Sequence, residues 1–284
     1  MKRPLSVTVF GYVMMALTAI IILAPVYWLV ISSLSTQASL LKAPPDWIPD
    51  RLTFDNYKNI LFPDASTSQV SRMFMQTLRN SAIVASAVTL VGLVLGIFAA
   101  YAFGRLEFRG RRAGLLVILA TQMLPAISLI IPLYLVFNNL GWLDSLGMLV
   151  IVYLSFGLPF VVYIMTSFLQ SIPRELEEAA RVDGCSRVGA LFRVIIPLSG
   201  PGVAATAIFS FLMAWDEFFF ALILTSSYAS KTVPVAIAEF TGRHAIDYTA
   251  MTTGGVLAAI PPVLIALIFQ RYIVQGLTAG AVKG

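Results

Sequence analysis

The chain reads as an all-α membrane protein with six transmembrane helices, on three observations. Its 284 residues are 58% hydrophobic and only 12% charged, with a mean hydropathy of +0.87, whereas soluble domains carry about a quarter charged residues. Six apolar segments reach the ~20 residues that a bilayer core requires. The basic residues divide unequally between the connections that alternate around those segments.

The spans run about Val9–Leu34, Ser81–Phe103, Ala113–Phe137, Leu146–Leu169, Gly202–Leu224 and Ala250–Phe269. Lys2 and Arg3 followed by an apolar run resemble a signal peptide at first sight. The run of ~26 residues is too long for a cleaved core of about 7–15, so it reads as a retained first span. Six spans place both termini on one side. With the N-terminus inside, the cytoplasmic segments carry Lys2, Arg3, Arg105, Arg109, Arg111, Arg112, Arg174, Arg181, Arg187, Arg193, Arg271 and Lys283. The outer segments carry only Lys42, Arg51, Lys58, Arg72, Arg79, Lys231 and Arg243. The net charge of +5 therefore reports topology, and no nucleic-acid partner is needed to explain it.

Each connection has its own character. The first outer loop, 35–80, holds Pro44, Pro45, Pro49 and Pro63 and is too long for a simple turn, so it should carry some structure. The second span has Gly92, Gly96, Ala100 and Gly104 at four-residue intervals. Such a ridge lets another helix approach closely, within the chain or across a subunit contact. Pro125, Pro132, Pro159, Pro261 and Pro262 interrupt the later spans, as bends around a pathway or as static kinks. The second outer loop, 225–249, mixes aromatic and hydrogen-bonding groups around Gly242, as a ligand-contacting loop or an ordinary connector would.

Catalytic chemistry is sparse. No phosphate-binding G-x-x-x-x-G-K-[ST] is present. His244 and Cys185 are single, which argues against a zinc site, a metal centre or a histidine-based triad, and the chain is not expected to be an enzyme. The exception within a span is Trp215-Asp216-Glu217. A carboxylate at mid-bilayer costs about 3 kcal/mol on insertion scales. The pair therefore reads as a polar patch on a translocation path, a proton-coupling site or an interfacial pair.

The most informative stretch is the loop 171–201, which holds eight of the 33 charged residues. Pro173 suits the first turn of a helix, and the glutamates after it favour the positive end of the dipole. Glu177 and Arg181 stand one turn apart in the favourable order. Gly184 ends or bends this helix. A second amphipathic helix follows, with Val188, Leu191, Phe192 and Ile195 on one face and Arg187 and Arg193 off it. By composition alone this is a charged loop resting against helix ends.

Glu178-Ala179-Ala180, then Gly184, then Val194-Ile195-Ile196-Pro197 closely resembles the E-A-A motif of binding-protein-dependent ABC importer permeases. Val194 and Ile196 replace the motif's isoleucine and leucine. The resemblance implies the type I ABC importer permease fold over a single transmembrane domain, 1–284, with 171–201 as its cytoplasmic coupling-helix loop. It implies that Glu178, Ala179, Ala180, Asp183, Gly184 and Pro197 meet an ATPase subunit. Carbohydrate permeases of this family often have W-N-E-F where Trp215, Asp216, Glu217 and Phe218 stand here, and Asp216 departs from that asparagine. The segment from Arg271 to Gly284 is similar to the end of the second permease subunit in maltose-type importers. Its cytoplasmic tail, 270–284, is then implied to reach between ATPase subunits through Gly276, Leu277, Thr278, Ala279, Gly280 and Lys283.

The same resemblance implies that Thr241, Gly242, Arg243, His244, Asp247 and Tyr248 form a scoop entering an extracytoplasmic solute-binding protein. It further implies a second, different permease, two ATPase subunits and a bacterial or archaeal plasma (inner) membrane. ATP and magnesium would be bound by those ATPase partners and no cofactor by this chain. The transported solute would be a sugar, oligosaccharide or related polyol. Two other readings remain open from the residues alone. One is an ion-coupled transporter using Asp216 or Glu217; the other is a membrane scaffold recruiting a cytoplasmic partner through the 171–201 loop.

Overall fold

The computed structural model describes residues 5–44, 46–49, 51–241 and 246–281. Regular structure in them is helical, apart from one antiparallel bridge between Thr241 and Ile246. The chain opens with α1 (Leu5–Ser33), the short α2 (Gln37–Leu40) and α3 (Asp55–Leu61), then the long α4 (Gln69–Arg105). Next come α5 (Arg111–Ala120), a 3₁₀ turn (Thr121–Met123), α6 (Ala126–Asn139) and α7 (Leu146–Ser171). The charged loop folds as α8 (Arg174–Val182), α9 (Arg187–Ala190), a π turn (Leu191–Ile195) and α10 (Ile196–Leu198). The remainder is α11 (Gly200–Trp215), α12 (Phe219–Leu224), α13 (Val233–Glu239) and α14 (Tyr248–Ala281).

Among the described residues four helices are long and apolar enough to cross a membrane, and six segments do so if each of two bent pairs counts as one span. Two of the expected spans are corrected. The third is not a continuous Ala113–Phe137 helix, because residues Arg111–Met123 and Ala126–Asn139 meet at 90°. Pro125 lacks an N–H and pushes Leu124 out of the helical region, to φ −73°, ψ 123°. The fifth is not continuous over Gly202–Leu224, because α11 stops at Trp215 and α12 starts at Phe219. Residues Arg187–Leu198 and Gly200–Trp215 also meet at 81°, between Pro197 and Pro201.

Two further boundaries move. The second span begins at Gln69, inside the expected 35–80 loop, because its first turns are polar and escape a hydropathy criterion. The expected structure in the rest of that loop is present as α2 and α3. The sixth helix continues beyond Phe269 to Ala281, since adding a residue to an existing helix incurs no nucleation cost. Pro132, Pro159, Pro261 and Pro262 lie inside continuous helices; of the five prolines only Pro125 marks a break.

Two compact units are distinguished, Met1–Met75 with Ala236–Ile260 and Gln76–Val235 with Pro261–Gly284, and every boundary falls inside a helix. In the first unit, the end of α1 is held by polar bonds. Asn56 donates to the carbonyls of Ser33 (2.9 Å) and Ser35 (2.8 Å), and Ser33 Oγ pairs with the Tyr57 hydroxyl at 2.7 Å. Phe74, Phe240 and Gly254 close together there, so a Cβ at Gly254 would stand 3.0 Å from Phe74 Cε2.

In the second unit α4 packs along α7. A Cβ at Gly96 would collide with Val161, and one at Gly104 would come within 3.6 Å of the Thr166 carbonyl. The small-residue ridge is therefore an intramolecular contact. Two apolar clusters flank it. One gathers Val84, Val88, Leu149, Val152, Trp215, Phe220 and Leu224. The other gathers Ala100, Tyr101, Val161, Met165, Leu169, Leu191 and Ile195, drawing the π turn of the charged loop into the core.

Asp144, between α6 and α7, adopts φ +59° and binds the connection after α12. Its Oδ1 accepts from the N–H groups of Ser226 (2.9 Å) and Ser227 (3.0 Å) and from the Ser230 hydroxyl. Partial burial pushes the Asp144 carboxyl up, but the hydrogen bonds from Ser227, Ser230 and Ser226 outweigh it and hold it well below its ordinary 3.8.

Two outcomes follow from this packing. Gly96→Leu forces a side chain into Val161 and is expected to destabilise the folded chain by roughly 1–3 kcal/mol, read as a lower thermal midpoint in detergent. The folded-state value of Asp144 is depressed, so its contribution is present above the ordinary value and is lost as pH falls through the folded one. Between about pH 5 and about pH 3 the unmodified chain should lose more thermal stability than Asp144→Asn, which has no charge to titrate.

Candidate functional site

The charged loop begins where α7 ends. Ile172 and Pro173 are extended, with ψ of 133° and 136°, and turn the chain in two residues into α8. Pro173 sits at the N-cap, one position before the first turn, and Glu175 and Glu177 occupy that turn as the helix dipole favours. The other end is a Schellman stop. Gly184 stands at φ +92°, its N–H donates to Arg181 O (3.1 Å), and the Cys185 N–H donates to Ala180 O (3.0 Å). Ser186 then caps α9, its Oγ accepting from the Gly189 N–H at 3.1 Å.

This frame sorts the expected residues. Glu178, Ala179, Asp183, Gly184 and Pro197 are exposed, together with Val182, which is 87% accessible. Ala180 is buried and faces inward, so it supports this surface from below. The second amphipathic face differs from expectation. Ala190, Leu191 and Ile195 are buried, while Val188 and Phe192 are exposed. The π turn at Leu191–Ile195 adds a residue to the turn and rotates the register, which a regular 3.6-residue periodicity does not anticipate.

Glu177 also differs. Instead of pairing with Arg181 it turns to α4, where Oε1 accepts from the Tyr101 hydroxyl at 2.5 Å and Oε2 lies 3.9 Å from Arg105 Nε. Arg105 Nη2 donates to Ile172 O at 2.7 Å, at the point where α7 gives way to α8. A cleft of about 400 Å³ opens beside this group, lined by Arg105, Glu107, Arg174, Glu178, Arg181 and Arg187 among others. Tyr101 and Arg105 escaped the sequence reading. The first lay unremarked inside the second span, and the second counted only towards the charge asymmetry.

Trp215, Asp216 and Glu217 separate into different environments. Trp215 is buried and stacks on Phe211, with centroids 5.6 Å apart. Asp216 ends α11 and is exposed. Glu217 lies in the break just before α12, its two oxygens accepting from the N–H groups of Phe220 (2.8 Å) and Ala221 (3.3 Å). It also lines a cavity of about 90 Å³ with Tyr153, Ser210 and Met213. The buried Tyr153 hydroxyl has no hydrogen-bond partner among the described residues.

Of the expected scoop residues, Gly242, Arg243 and His244 lie outside the described residues, as does Lys283 of the tail. Thr241 and Ile246 pair across them, and the Asp247 N–H donates to Phe240 O at 3.1 Å. Asp247 Oδ1 accepts from the Ala250 N–H (2.9 Å) and the Thr249 hydroxyl (2.8 Å), capping the start of α14. Tyr248 is exposed, and its N–H donates to Gln37 Oε1 at 3.0 Å. Gln37 Nε2 donates to Ile246 O at 2.7 Å, so one amide holds the C-terminal side of the loop base through both its ends. No local sequence signal marks Gln37, which lies 209 residues from Ile246. Gly276, Leu277, Thr278, Ala279 and Gly280 belong to the last turns of α14.

Comparison with known proteins places this geometry. The family model of the binding-protein-dependent transport system inner membrane component matches residues 92–279. The chain is 39% identical over 269 residues to the trehalose/maltose transport system permease protein of Thermococcus litoralis, with 94% of each chain covered. It is also 39% identical over 264 residues to the trehalose transport system permease protein of Mycobacterium tuberculosis, covering 92% of this chain and 93% of the relative. Among solved structures, a chain of a bacterial ABC transporter involved in import of the acidic polysaccharide alginate superposes with a TM-score of 0.79 at 22% identity. That superposition covers 96% of this chain and 98% of the other, and at that identity it speaks for the fold alone. With bent and straight spans in the type I arrangement and a family match over most of its length, the chain belongs to the binding-protein-dependent transport system inner membrane components, the multi-pass permease subunits of ABC importers.

Proposed function

We propose that this chain is one of two different permease subunits in an ATP-driven importer of a sugar, oligosaccharide or related polyol. The solute is delivered by an extracytoplasmic binding protein. Two ATPase subunits bind and hydrolyse ATP with magnesium, and this chain holds no cofactor of its own. It lies in a bacterial or archaeal plasma membrane with both termini cytoplasmic. The observation that carries the reading is the exposed surface of α8, where Glu178, Ala179, Asp183 and Gly184 stand free on a helix clamped at both ends. Such a surface, rigid and unpartnered in the chain itself, suits insertion into a cleft on an ATPase subunit. The sugar assignment is supported by the trehalose and maltose relatives.

The remaining expected roles are part of the same proposal. The last turns of α14 reach between the ATPase subunits. The loop closed by Thr241 and Ile246 enters the binding protein, with Gln37 setting its base. Asp216, exposed where Trp215 is buried and Glu217 is bonded, is the member of that triplet available to line a pathway.

Transport should require the partners. Purified with its partner permease and ATPase subunits, the chain is expected to support ATP hydrolysis stimulated by solute-loaded binding protein; alone in liposomes it should move no sugar under a proton or sodium gradient. Gradient-driven uptake by the lone chain would replace this reading with an ion-coupled one.

Gly184 gives a second check. At φ +92° a β-branched side chain costs about 1–2 kcal/mol and distorts the Schellman stop. Gly184→Val should insert normally yet lose uptake and co-purify with less ATPase. Normal stoichiometry and uptake would remove the loop from the docking surface.

A further inference from the structure

α8 is tied to the spans by two routes of different kind. One is covalent, since only Ile172 and Pro173 separate it from α7. The other is the polar group Tyr101–Glu177–Arg105, which joins it to α4, 76 residues earlier in the chain at Tyr101. Glu177 and Glu178 are neighbours with opposite fates. Glu178 is exposed, while the Glu177 side chain is only 14% exposed and faces Arg105, whose side chain is 3% exposed. The geometry points to a latch: we propose that Glu177, Tyr101 and Arg105 are positioning residues that make α4 follow α8, and so decide how much of the ATPase movement reaches the second span. This rests on the docking role proposed above for α8.

Three observations favour a latch over a passive surface contact. Arg105 is engaged at both ends of the joint, hydrogen-bonded to Ile172 O at the exit of α7 and ion-paired with Glu177 on α8, so a rotation of α8 about Pro173 must stretch one of the two. The Arg105 Nε has no hydrogen-bond partner among the described residues, and Glu177 at 3.9 Å is the carboxylate it faces. Separating the pair would leave a buried charge uncompensated, which makes the contact all-or-none rather than continuously adjustable. The neighbouring pair Arg174–Glu107 is at 3.0 Å but is 52% and 80% exposed, so screening makes it a weak link and an internal control.

The α4 end of the joint is built to transmit. Tyr101 packs with Val161, Met165, Leu169 and Ile195 in one apolar cluster, and Ala100 beside it is wholly buried. The ridge through Gly96 and Gly104 holds α4 against α7. A pull on Tyr101 therefore acts on a packed helix, not on a frayed end.

The test uses the whole importer in proteoliposomes, with this chain, its partner permease, the ATPase subunits and the binding protein. Tyr101→Phe removes the hydroxyl, Glu177→Gln removes the charge but keeps an acceptor, and Glu107→Gln breaks the exposed pair. Measured together are ATPase stoichiometry, solute-stimulated hydrolysis, and solute moved per ATP hydrolysed. The latch predicts that Tyr101→Phe and Glu177→Gln keep their ATPase subunits but transport at least about 5-fold less solute per ATP. Glu107→Gln should match the unmodified importer, and Glu177→Asp should recover part of the loss. Unchanged solute per ATP in both latch variants would overturn the proposal. So would loss of ATPase subunits in both, which would make the group a structural brace. If the unmodified chain itself bound no ATPase, the docking role would be the part that failed.

Discussion

A backbone N–H or C=O without a partner is costly wherever the bilayer excludes water, and this constraint decides where the chain can stop being helical. At three interruptions a side chain hydrogen-bonds to backbone groups. At the Asp216–Phe218 interruption, Glu217 accepts from two N–H groups of the following helix. At the 81° bend the Ser199 hydroxyl donates to Ile195 O at 2.8 Å. At the α6–α7 turn, Asp144 holds three donors from a distant connection. Asn80, wholly buried in α4, donates to the carbonyls of Tyr228 and Lys231 and keeps that connection in place. The polar residues inside this apolar chain thus share a physical reason for being there.

Two carboxylates of the second unit are used in contrasting ways. Glu217 serves the backbone beside it, which is an architectural use. Glu177 serves another helix through Tyr101 and Arg105, which couples two elements far apart in sequence. The adjacent acids, Asp216 and Glu178, are exposed. In each pair of neighbours one group is consumed by the fold and the other is left available, so a pair that looks redundant carries two different tasks.

The surface of α8 owes its availability to what is buried beneath it. Leu191 and Ile195 fix the loop to α4 and α7, Ala180 is buried beneath α8, and the Schellman stop at Gly184 fixes its length. With both ends constrained, Glu178, Ala179, Val182 and Asp183 can remain solvent-facing without the helix fraying. The docking role proposed for α8 calls for this combination of rigid support and open surface.

The existence of the spans, the small-residue ridge and the helix-stopping glycine followed from the amino-acid sequence by itself, because hydropathy, four-residue spacing and positive-φ glycine are local properties, but only the packing of α4 on α7 made the ridge an intramolecular contact. The E-A-A spacing likewise marked the loop before any geometry was known. The bends at Pro125 and at Asp216–Phe218 did not follow, since five prolines look alike in sequence and only one falls where its predecessor leaves the helical region. The register of the second half of the loop also escaped, because a π turn inserts a residue that periodicity cannot count. Glu177 was read as pairing with Arg181 one turn away; the fold gave it Tyr101 and Arg105 instead, 76 residues off in the first case. Local spacing proposes partners along a helix, but burial against another helix decides between them, because a charge removed from water must take the counter-charge and donor that tertiary packing brings within reach.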